Sequence, residues 1–395
     1  MSAPIVIVGA GQSGLQVAES LRSGGHAGPI VMIGDEACAP YHRPPLSKAY
    51  LAGEASEAQL TIRSPEALAK KQIELRSGVA VTAIDRARRQ LALSDGSTLD
   101  YAGLALATGA RVRPLPLPGA DLPNVCGLRT LADVRHIAAL LAAARNVVVI
   151  GGGFIGLEFA AVAAKAGKAV TVLEAAERLM ARVVAPPVSA FYLALHRRHG
   201  VAVELGCQVE AIDGADGRRH AADLVVYGIG VIANDALARA AGLECERGIV
   251  VDACARTADP HIVASGDCAA RRLDDGSLLR LESVNNAVEQ AKAAAAALLG
   301  SARPFVSTPW FWSDQYDAKL QMAGLSTGYD QVVTRGEPSA GRFSVLYYRA
   351  GRLIAIDSIN QAQDHMSGRK LLDRGLSPTP EQAADPAFAL NALLA

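Results

Sequence analysis

The strongest constraint on the fold of this chain is a sequence pattern that occurs twice. Residues 5–14 read IVIVGAGQSG and residues 147–156 read VVVIGGGFIG. Each copy is a run of β-branched residues of strand length, followed by G-x-G-x-x-G and then by a helical pattern, at residues 15–23 in the first copy and 157–166 in the second. A second apolar strand follows each helix and ends at an acid, Asp35 in the first copy and Glu174 in the second. Two such units predict an α/β chain with two parallel-sheet domains.

The position of the acids makes the repeat specific. A lone G-x-G-x-x-G is weak evidence in a chain with 37 glycines. Here the motif follows a strand, opens a helix and precedes an acid by about 20 residues, which is the pattern of a dinucleotide-binding site. Because the pattern occurs twice, the sequence predicts two dinucleotide cofactors, one held permanently and one exchanged.

The three glycines of each motif have different expected roles. The first allows a tight turn, the second lets the backbone approach a pyrophosphate, and the third lets the helix pack closely on its strand. The helix N-terminus then offers free N–H groups and a partial positive charge to phosphates. Asp35 and Glu174 are expected to accept hydrogen bonds from ribose hydroxyls. In order, the glycines are Gly9, Gly11 and Gly14, then Gly151, Gly153 and Gly156.

Other strand ends carry small or acidic residues. Residues 101–109 and 222–230 both read as a strand that ends in a small-residue turn. Between the first acid and its turn, residues 79–99 predict a β-meander packed on the sheet. Asp267 follows a short strand before an Ala-rich helix at residues 283–299, so it is either a ligand-facing acid or a helix N-cap.

Composition excludes several classes. A formal net charge of +0 in 395 residues argues against nucleic acid as a partner. No apolar window of about 18 residues lacks a charge, so no membrane span is expected. None of the six cysteines forms a C-x-x-C pair, which argues against a zinc ribbon or a thioredoxin-type redox pair, and no metal site is expected. Free thiols and the absence of a secretory signal predict a cytoplasmic protein.

The composition changes from about residue 303 onward. Residues 342–359 predict a hairpin with a turn at Ala350 and Gly351, and residues 364–374 predict a short helix. Both tryptophans of the chain, Trp310 and Trp312, lie within this region. They are either core anchors or, for one of them, a functional residue. The sequence therefore predicts a small C-terminal α+β domain.

Two segments are more specific than the glycine motifs. Residues 34–48 read GDEACAPYHRPPLSK and residues 309–315 read PWFWSDQ. With the repeat, they make the chain resemble flavoproteins of the glutathione-reductase fold over nearly its whole length. More closely, it resembles the FAD-dependent NADH:ferredoxin reductases of P450 and aromatic dioxygenase systems, of the putidaredoxin and rhodocoxin reductase type.

The resemblance implies a domain plan and a function. Residues 1–110 and 240–302 would bind FAD, residues 111–239 would bind NADH, and residues 303–395 would contribute to the flavin and ferredoxin side. The protein would accept hydride from NADH and pass electrons singly to a [2Fe-2S] ferredoxin that serves a cytochrome P450. The alternatives are the reductase component of a ring-hydroxylating dioxygenase, an NADH oxidase, and a non-catalytic FAD-binding interaction protein.

The resemblance also implies the binding residues. Those expected to contact FAD are Gly9, Gly11, Ser13, Gly14, Asp35, Arg43, Pro44, Lys48, Val81, Ala107, Thr108, Gly109, Arg129, Asp267, Val284 and Trp312. Those expected to contact NADH are Gly151, Gly153, Ile155, Gly156, Glu158, Glu174, Arg182 and Gly230. Sequence alone would make Arg129 a surface salt-bridge residue. The ferredoxin partner that the resemblance implies makes Lys292 a candidate for docking, because ferredoxins are typically acidic.

Lys48 and Glu158 are the expected catalytic residues. Lys48 follows two prolines and is expected to start a helix with its amine directed at a ligand. Glu158 lies in the first helical turn after the second motif. We expect the two to form an ion pair beside the flavin N5, whereas without the resemblance both would read as solvated helix residues.

Glu174 and the cysteines bear on the reaction. A carboxylate at the end of the second strand favours NADH over NADPH, although Arg178 and Arg182 follow it and could receive a 2′-phosphate. Disulfide reductases of this fold carry a C-x-x-x-x-C pair, whereas residues 37–47 hold only Cys38, which reads as a small buried thiol. Electrons are therefore expected to leave the flavin without a thiol relay.

Overall fold

A computed structural model of the protein describes residues 3–212, 220–301 and 303–395. It divides into two compact units. Unit 1 comprises Met1–His42, Ser56–Arg111 and Val231–Ser307, and unit 2 comprises Arg43–Ala55, Val112–Gly230 and Thr308–Ala395. Within the described residues, no helix combines the length and the apolar character needed to cross a bilayer. The three-domain plan stays a prediction.

Strands and helices alternate around each glycine motif, and runs of consecutive strands follow elsewhere in the chain. The first are β1 (Ile5–Val8), α1 (Gln12–Ser23), β2 (Ile30–Gly34), a 3-10 helix (Pro44–Ser47), α2 (Glu57–Leu60), α3 (Pro65–Lys70), β3 (Ile73–Ser77), β4 (Val81–Asp85), β5 (Gln90–Leu93), β6 (Thr98–Asp100), β7 (Gly103–Leu106) and β8 (Ala110–Val112). Then come β9 (Val125–Gly127), α4 (Leu131–Ala143), β10 (Asn146–Ile150), α5 (Phe154–Lys165), β11 (Ala169–Leu173), α6 (Pro186–Arg198), β12 (Ala202–Glu204) and β13 (Leu224–Tyr227).

The remaining elements complete unit 1 and then form the C-terminal part of unit 2. They are β14 (Val231–Ala233), α7 (Ala236–Ala240), β15 (Ile249–Val251), β16 (Ile262–Ala264), a 3-10 helix (Gly266–Cys268), β17 (Ala269–Arg272), β18 (Leu278–Leu279) and α8 (Val284–Leu298). After them come β19 (Trp310–Gln315), β20 (Ala318–Gly324), β21 (Gln331–Glu337), a 3-10 helix (Pro338–Ala340), β22 (Arg342–Arg349), β23 (Arg352–Ile359), α9 (Ala362–Asp373), α10 (Pro380–Ala384) and a 3-10 helix (Leu390–Leu394).

Unit 1 is built on a parallel sheet with the strand order β16-β7-β1-β2-β3. Alternate residues of β1 enter different cores, as the two-residue period of a strand requires. Ile5 and Ile7 pack with residues of α1 and α8. Val6 and Val8 pack with the antiparallel meander β4-β5-β6. The predicted meander and its packing on the sheet are therefore confirmed.

Unit 2 repeats the parallel sheet and adds an antiparallel one. The parallel sheet has the order β12-β11-β10-β13-β9. The antiparallel sheet has the order β19-β20-β23-β22-β21 and carries α9 and α10. Its central hairpin joins β22 and β23 through Ala350 and Gly351, as predicted. The fold class, α/β with a C-terminal α+β part, is confirmed.

Two helix starts differ from the sequence predictions for one reason, and a third predicted helix start, at Lys48, is wrong. The helices after the two motifs were expected at residues 15–23 and 157–166, but they begin at Gln12 and Phe154. Gly11 and Gly153 are their N-cap residues, and the third motif glycine lies inside the first turn. Glycine has a low helix propensity, so the sequence pattern predicted that each helix begins after this residue. The close packing of the helix on its strand requires a glycine at this position within the helix. Lys48 starts no α-helix: it follows a 3-10 helix that begins at Pro44.

A buried acid in the C-terminal sheet makes stability depend on pH. Asp357 is 2% exposed, and burial raises its pKa from 3.8 to about 7 although the Tyr347 hydroxyl donates a hydrogen bond to it. Between these values the folded chain binds more protons than the unfolded chain, so stability falls as the pH rises towards 7.

We therefore expect the free energy of unfolding of Asp357→Asn, relative to that of the wild type, to increase as the pH rises from 5 to 8. Linkage limits the gain to roughly 2–4 kcal/mol, or a melting-temperature difference of about 2–5 °C. Thermal unfolding of both proteins at the two pH values measures it. A difference between the proteins that does not change with pH would show that Asp357 is ionised throughout.

Candidate cofactor and catalytic site

The first motif forms a cradle, by which we mean β1, the glycine loop and the start of α1. Gly9 has φ +112°, and a Cβ there would lie 2.1 Å from the carbonyl oxygen of Ala107. A Cβ at Gly14 would lie 1.9 Å from the carbonyl oxygen of Gly9. A Cβ at Gly11 would meet nothing within 4 Å. The turn and the close helix packing are thus confirmed, and the open space before Gly11 fits a pyrophosphate at the helix N-terminus.

Several predicted residues gather at the carboxyl edge of the same sheet. Because β1, β2, β7 and β16 are parallel, the residues after them share one edge, the edge at which such sheets bind ligands. Asp35 directly follows β2 and is exposed, and Asp267 lies in the 3-10 helix after β16. Asp267 is not the N-cap of the long helix, because Ser283 fills that position. The residues after β7 are Ala107, Thr108 and Gly109.

Other predicted FAD contacts in unit 1 are held by specific partners. The Ser13 hydroxyl lies 2.7 Å from that of Ser265, and both residues are buried. The Thr108 hydroxyl donates to the carbonyl oxygen of Asn234 at 2.6 Å, which fixes the turn after β7. Val284 is the first residue of α8. Val81 begins β4 of the meander and is not part of the parallel sheet.

The second motif forms an equivalent cradle in unit 2 from β10, its glycine loop and the start of α5. A Cβ at Gly156 would lie 2.2 Å from the carbonyl oxygen of Gly151, which has φ +105°. The nearest atom to a Cβ at Gly153 would be the carbonyl oxygen of Gly228, at 3.8 Å. The second cradle therefore has the same tight turn, the same close helix and the same open space as the first. Ile155 lies in the first turn of α5.

Glu174 stands directly after β11, as Asp35 stands after β2. Its Oε2 accepts from the N–H of Gly152 at 2.6 Å and its Oε1 accepts from the N–H of Ala176 at 2.7 Å. A carboxylate has about four acceptor positions, so the side chain is fixed against the glycine loop and still has capacity for ribose hydroxyls. The carboxylate is thus placed to favour a ribose without a phosphate.

The two arginines after Glu174 differ in availability. Arg178 donates to the carbonyl oxygens of Val184 and Ala181 and to the Ser189 hydroxyl, all within 2.8 Å. Its guanidinium is therefore engaged within the protein and is poorly placed to receive a 2′-phosphate. Arg182 is exposed, and its Nη2 would lie 3.8 Å from a Cβ at Gly230. The structure thus brings together the two predicted NADH residues Arg182 and Gly230.

The expected ion pair between Lys48 and Glu158 is confirmed. Lys48 Nζ lies 2.6 Å from Glu158 Oε2 and also donates to the Pro44 carbonyl oxygen at 3.1 Å. Glu158 is 4% exposed and lies in the first turns of α5. Its Oε2 also accepts from the Ser47 hydroxyl at 2.6 Å, and its Oε1 accepts from the Ser313 hydroxyl at 2.7 Å. The alternative of two solvated helix residues is therefore wrong.

Ser47 and Ser313 were missed by sequence reasoning, and so were two aromatic residues. The Phe154 ring at the start of α5 lies 4.9 Å from the Phe311 ring. Along β19, Phe311 and Ser313 lie on one face because they are two residues apart. A buried polar residue in that alternation was the available signal, but the sequence did not say which acid it faces.

The remaining predicted FAD residues lie in unit 2. Arg43 Nη1 donates to the carbonyl oxygen of Arg129 at 3.1 Å, so these two residues are in contact. Pro44 opens the 3-10 helix that precedes Lys48. Trp312 is half-buried and lies 5.4 Å from the ring of Trp310, which packs against the core of the C-terminal sheet. Trp310 is thus the core anchor of the two.

Cysteines and metal ligands add little to the site. All six cysteines lie in the described part of the chain, and none of them forms a disulfide there. Burial raises the pKa of the Cys268 thiol. Among residues 3–212, 220–301 and 303–395, no three His, Cys, Asp or Glu side chains form a group that could hold a metal ion. Burial also raises the pKa of the Cys126 and Cys245 thiols, which disfavours their reactive thiolate forms.

Comparisons with known proteins cover almost the whole chain. The family model described as pyridine nucleotide-disulphide oxidoreductase matches residues 3–291, and a model described as reductase C-terminal matches residues 310–394. Rhodocoxin reductase of Rhodococcus erythropolis is 46% identical over 402 residues, which is 99% of this chain and 94% of that protein.

Two solved structures are similar over their full length. The ferredoxin reductase for the CYP199A2 system from Rhodopseudomonas palustris has a TM-score of 0.97 and 45% identity, with 100% of both chains covered. The covalent putidaredoxin reductase–putidaredoxin complex has a TM-score of 0.95 and 44% identity, with 100% of this chain and 98% of that chain covered. The second of these contains putidaredoxin as well as putidaredoxin reductase.

Proposed function

The chain belongs to the pyridine nucleotide-disulphide oxidoreductase family, in the group that includes putidaredoxin reductase and rhodocoxin reductase, and on that premise we propose its function. It is an FAD-containing oxidoreductase that accepts hydride from NADH and passes electrons singly to a [2Fe-2S] ferredoxin, which serves a cytochrome P450. The observation that carries the proposal is two complete dinucleotide cradles in a chain whose sequence has no C-x-x-x-x-C pair.

The residues of each cradle account for two cofactors. Gly11, Asp35 and Asp267 would hold FAD at the carboxyl edge of the first parallel sheet, where the open space fits a pyrophosphate. Gly153 and Glu174 would hold NADH in the second cradle. Bound FAD supplies the ability to take up two electrons as hydride and to release them one at a time.

The Lys48–Glu158 pair is the proposed catalytic group. Glu158 is almost fully buried beside the open end of the second cradle, and its carboxylate holds the Lys48 amine in one position. A fixed positive charge that is already oriented costs no reorganisation when charge moves between bound cofactors. The pair thus provides orientation and electrostatic stabilisation.

A reduction assay tests the proposal. Purified protein mixed with NADH and a [2Fe-2S] ferredoxin is expected to reduce the ferredoxin at the same rate with and without oxygen, followed through cytochrome c. Reaction that requires oxygen and forms peroxide or water would instead identify an NADH oxidase. Assays with a purified P450 and a purified ring-hydroxylating dioxygenase, each with its own ferredoxin, distinguish the two terminal acceptors. If the protein binds FAD but oxidises no NADH, it would instead be a non-catalytic FAD-binding interaction protein.

Cofactor preference is a separate prediction. We expect kcat/KM to be higher with NADH than with NADPH, because Glu174 is fixed at the ribose position and Arg178 is engaged elsewhere. Glu174→Ala removes the negative charge and should lower the ratio of kcat/KM with NADH to kcat/KM with NADPH by about tenfold. Glu177→Ala, the next acid along the chain, is the matched control and should leave the ratio unchanged. A higher kcat/KM with NADPH in the wild type would overturn the assignment.

Two further predictions complete the proposal. Six cysteines that form no disulfide in the described structure suit a cytoplasmic location. Lys292 remains the docking candidate for an acidic ferredoxin, although its amine is paired with Glu289 at 2.7 Å. Such an exposed pair within one helix contributes little, so the amine is free to exchange partners.

A further inference from the structure

A chain of hydrogen bonds continues from Glu158 into the interior of unit 2. Glu158 Oε1 accepts from the Ser313 hydroxyl at 2.7 Å, and the Ser313 hydroxyl accepts from Gln315 Nε2 at 3.2 Å. Gln315 Oε1 then lies 2.9 Å from His196 Nε2. Ser313, Gln315 and His196 are each at most 1% exposed. This chain of hydrogen bonds therefore connects the Glu158 carboxylate to the fully buried imidazole of His196.

The direction of every bond follows from the acceptor at one end. A carboxylate that also holds an ammonium group can only accept, so the Ser313 hydroxyl must donate to Glu158. The Ser313 oxygen is then an acceptor, and the amide nitrogen of Gln315 must face it. The amide oxygen consequently faces His196, and the proton of that imidazole must be on Nε2. All donors thus point towards Glu158.

His196 is suited to end such a chain. Burial lowers its pKa, so the ring is neutral and can carry its single proton on Nε2. Within the described residues, its Nδ1 is buried without a hydrogen-bond partner. The Tyr316 ring lies 5.2 Å from the imidazole ring and restricts its rotation. A buried polar side chain that leaves one nitrogen unpaired costs free energy, which favours a role for the bond that the other nitrogen makes.

We propose that Ser313, Gln315 and His196 are positioning residues that fix the Glu158 carboxylate and, through it, the Lys48 amine. The inference rests on the proposed function, since it assigns these residues to the same catalytic pair. Glu158 Oε2 is set by Ser47 and Lys48, whereas Oε1 is set only by Ser313 among the described residues. Removing the Ser313 hydroxyl would let the carboxylate rotate and loosen the Lys48 amine.

A spectroscopic test examines the chain without relying on activity. In wild-type holoenzyme labelled with ¹⁵N-histidine, and assigned with a His196→Gln variant, His196 is expected to carry its proton on Nε2 throughout pH 6–8. In Gln315→Glu the side chain can no longer donate to Ser313, so the Ser313 proton is drawn away from Glu158. A neutral His196 ring whose single proton is on Nδ1 would overturn the assigned direction.

A kinetic test uses flavin bleaching by NADH in anaerobic stopped flow, which needs no ferredoxin. We expect Ser313→Ala and Gln315→Glu to slow bleaching at saturating NADH about tenfold, with less than a threefold change in the apparent Kd for NADH. Ser344→Ala is the matched control, because Ser344 is an equally buried serine of the same sheet that bonds to Ser358 and Asp364 instead.

Equal slowing in Ser344→Ala, or unchanged bleaching in both chain variants, would overturn the inference. If Ser313→Ala does not fold, Gln315→Glu gives the same comparison. Failure of the wild type to reduce ferredoxin, with these bleaching effects intact, would refute the proposed function and leave the positioning chain standing.

Discussion

Gly11→Ala is expected to yield a folded protein that lacks flavin. Gly11 has φ −89° and ψ −164°, which any residue adopts, and a Cβ there would touch no protein atom within 4 Å. The same Cβ would occupy the space that a pyrophosphate needs. Overpacking of this kind costs about 1–3 kcal/mol, which weakens FAD binding roughly 5-fold to 100-fold. The measurement is the ratio of flavin absorbance to protein, with circular dichroism compared against flavin-free wild type.

Gly153→Ala provides the control, because it makes the same change in the second cradle. Gly153 has φ −84° and ψ 179°, and its nearest neighbour would be 3.8 Å from the new Cβ. This variant should stay yellow and show a KM for NADH raised about tenfold or more. Loss of flavin from Gly153→Ala with full retention in Gly11→Ala would exchange the two cofactor assignments.

Glu158→Ala is expected to slow flavin reduction by NADH about 10-fold to 100-fold, because misplacing one oriented group can cost that much. Lys48→Ala should have a similar effect, since the amine is held by Glu158 at 2.6 Å. Because the two residues act as a unit, the double variant should be little slower than the slower single variant. Anaerobic stopped flow at saturating NADH measures all three rates.

A matched control exists on the surface of unit 1. Glu19 Oε1 lies 2.6 Å from Lys71 Nζ and 2.9 Å from Arg63 Nε, which is similar to the distance in the Lys48–Glu158 pair. Glu19 lies in the second half of α1, away from its N-terminus. Glu19→Ala should therefore leave the rate unchanged. A Glu158→Ala variant that bleaches as fast as the wild type would remove Glu158 from the mechanism.

The sequence predicted the parts of the site that depend on local pattern. The glycine motifs constrain backbone geometry directly, so the turn at Gly9 and the packing at Gly14 could be derived without coordinates. Asp35 and Glu174 could be found because each acid directly follows a strand of a parallel sheet. These inferences need only the few residues on either side of each position.

The parts that the sequence did not reveal depend on contacts between distant segments. Ser47 and Ser313 are separated by more than two hundred residues, and both donate to Glu158. Ser313 is marked only as a polar residue within the alternation of β19, and the local context of neither serine identifies the acid that it faces. The sequence likewise left undecided whether Arg178 could bind a 2′-phosphate. Only the folded loop shows that its guanidinium donates hydrogen bonds to two carbonyl oxygens and a hydroxyl oxygen of the protein.

Unit 2 is built from three separate segments of the chain, and this limits how the enzyme can be divided into fragments. Glu158 belongs to the segment 112–230, yet the donors described around it come from an earlier segment and a later one. A fragment of residues 112–230 alone would therefore lack Ser47, Lys48 and Ser313, the three residues that hold the Glu158 carboxylate in place. Any fragment or chimera that is meant to keep the oriented Lys48 amine must contain all three segments of unit 2.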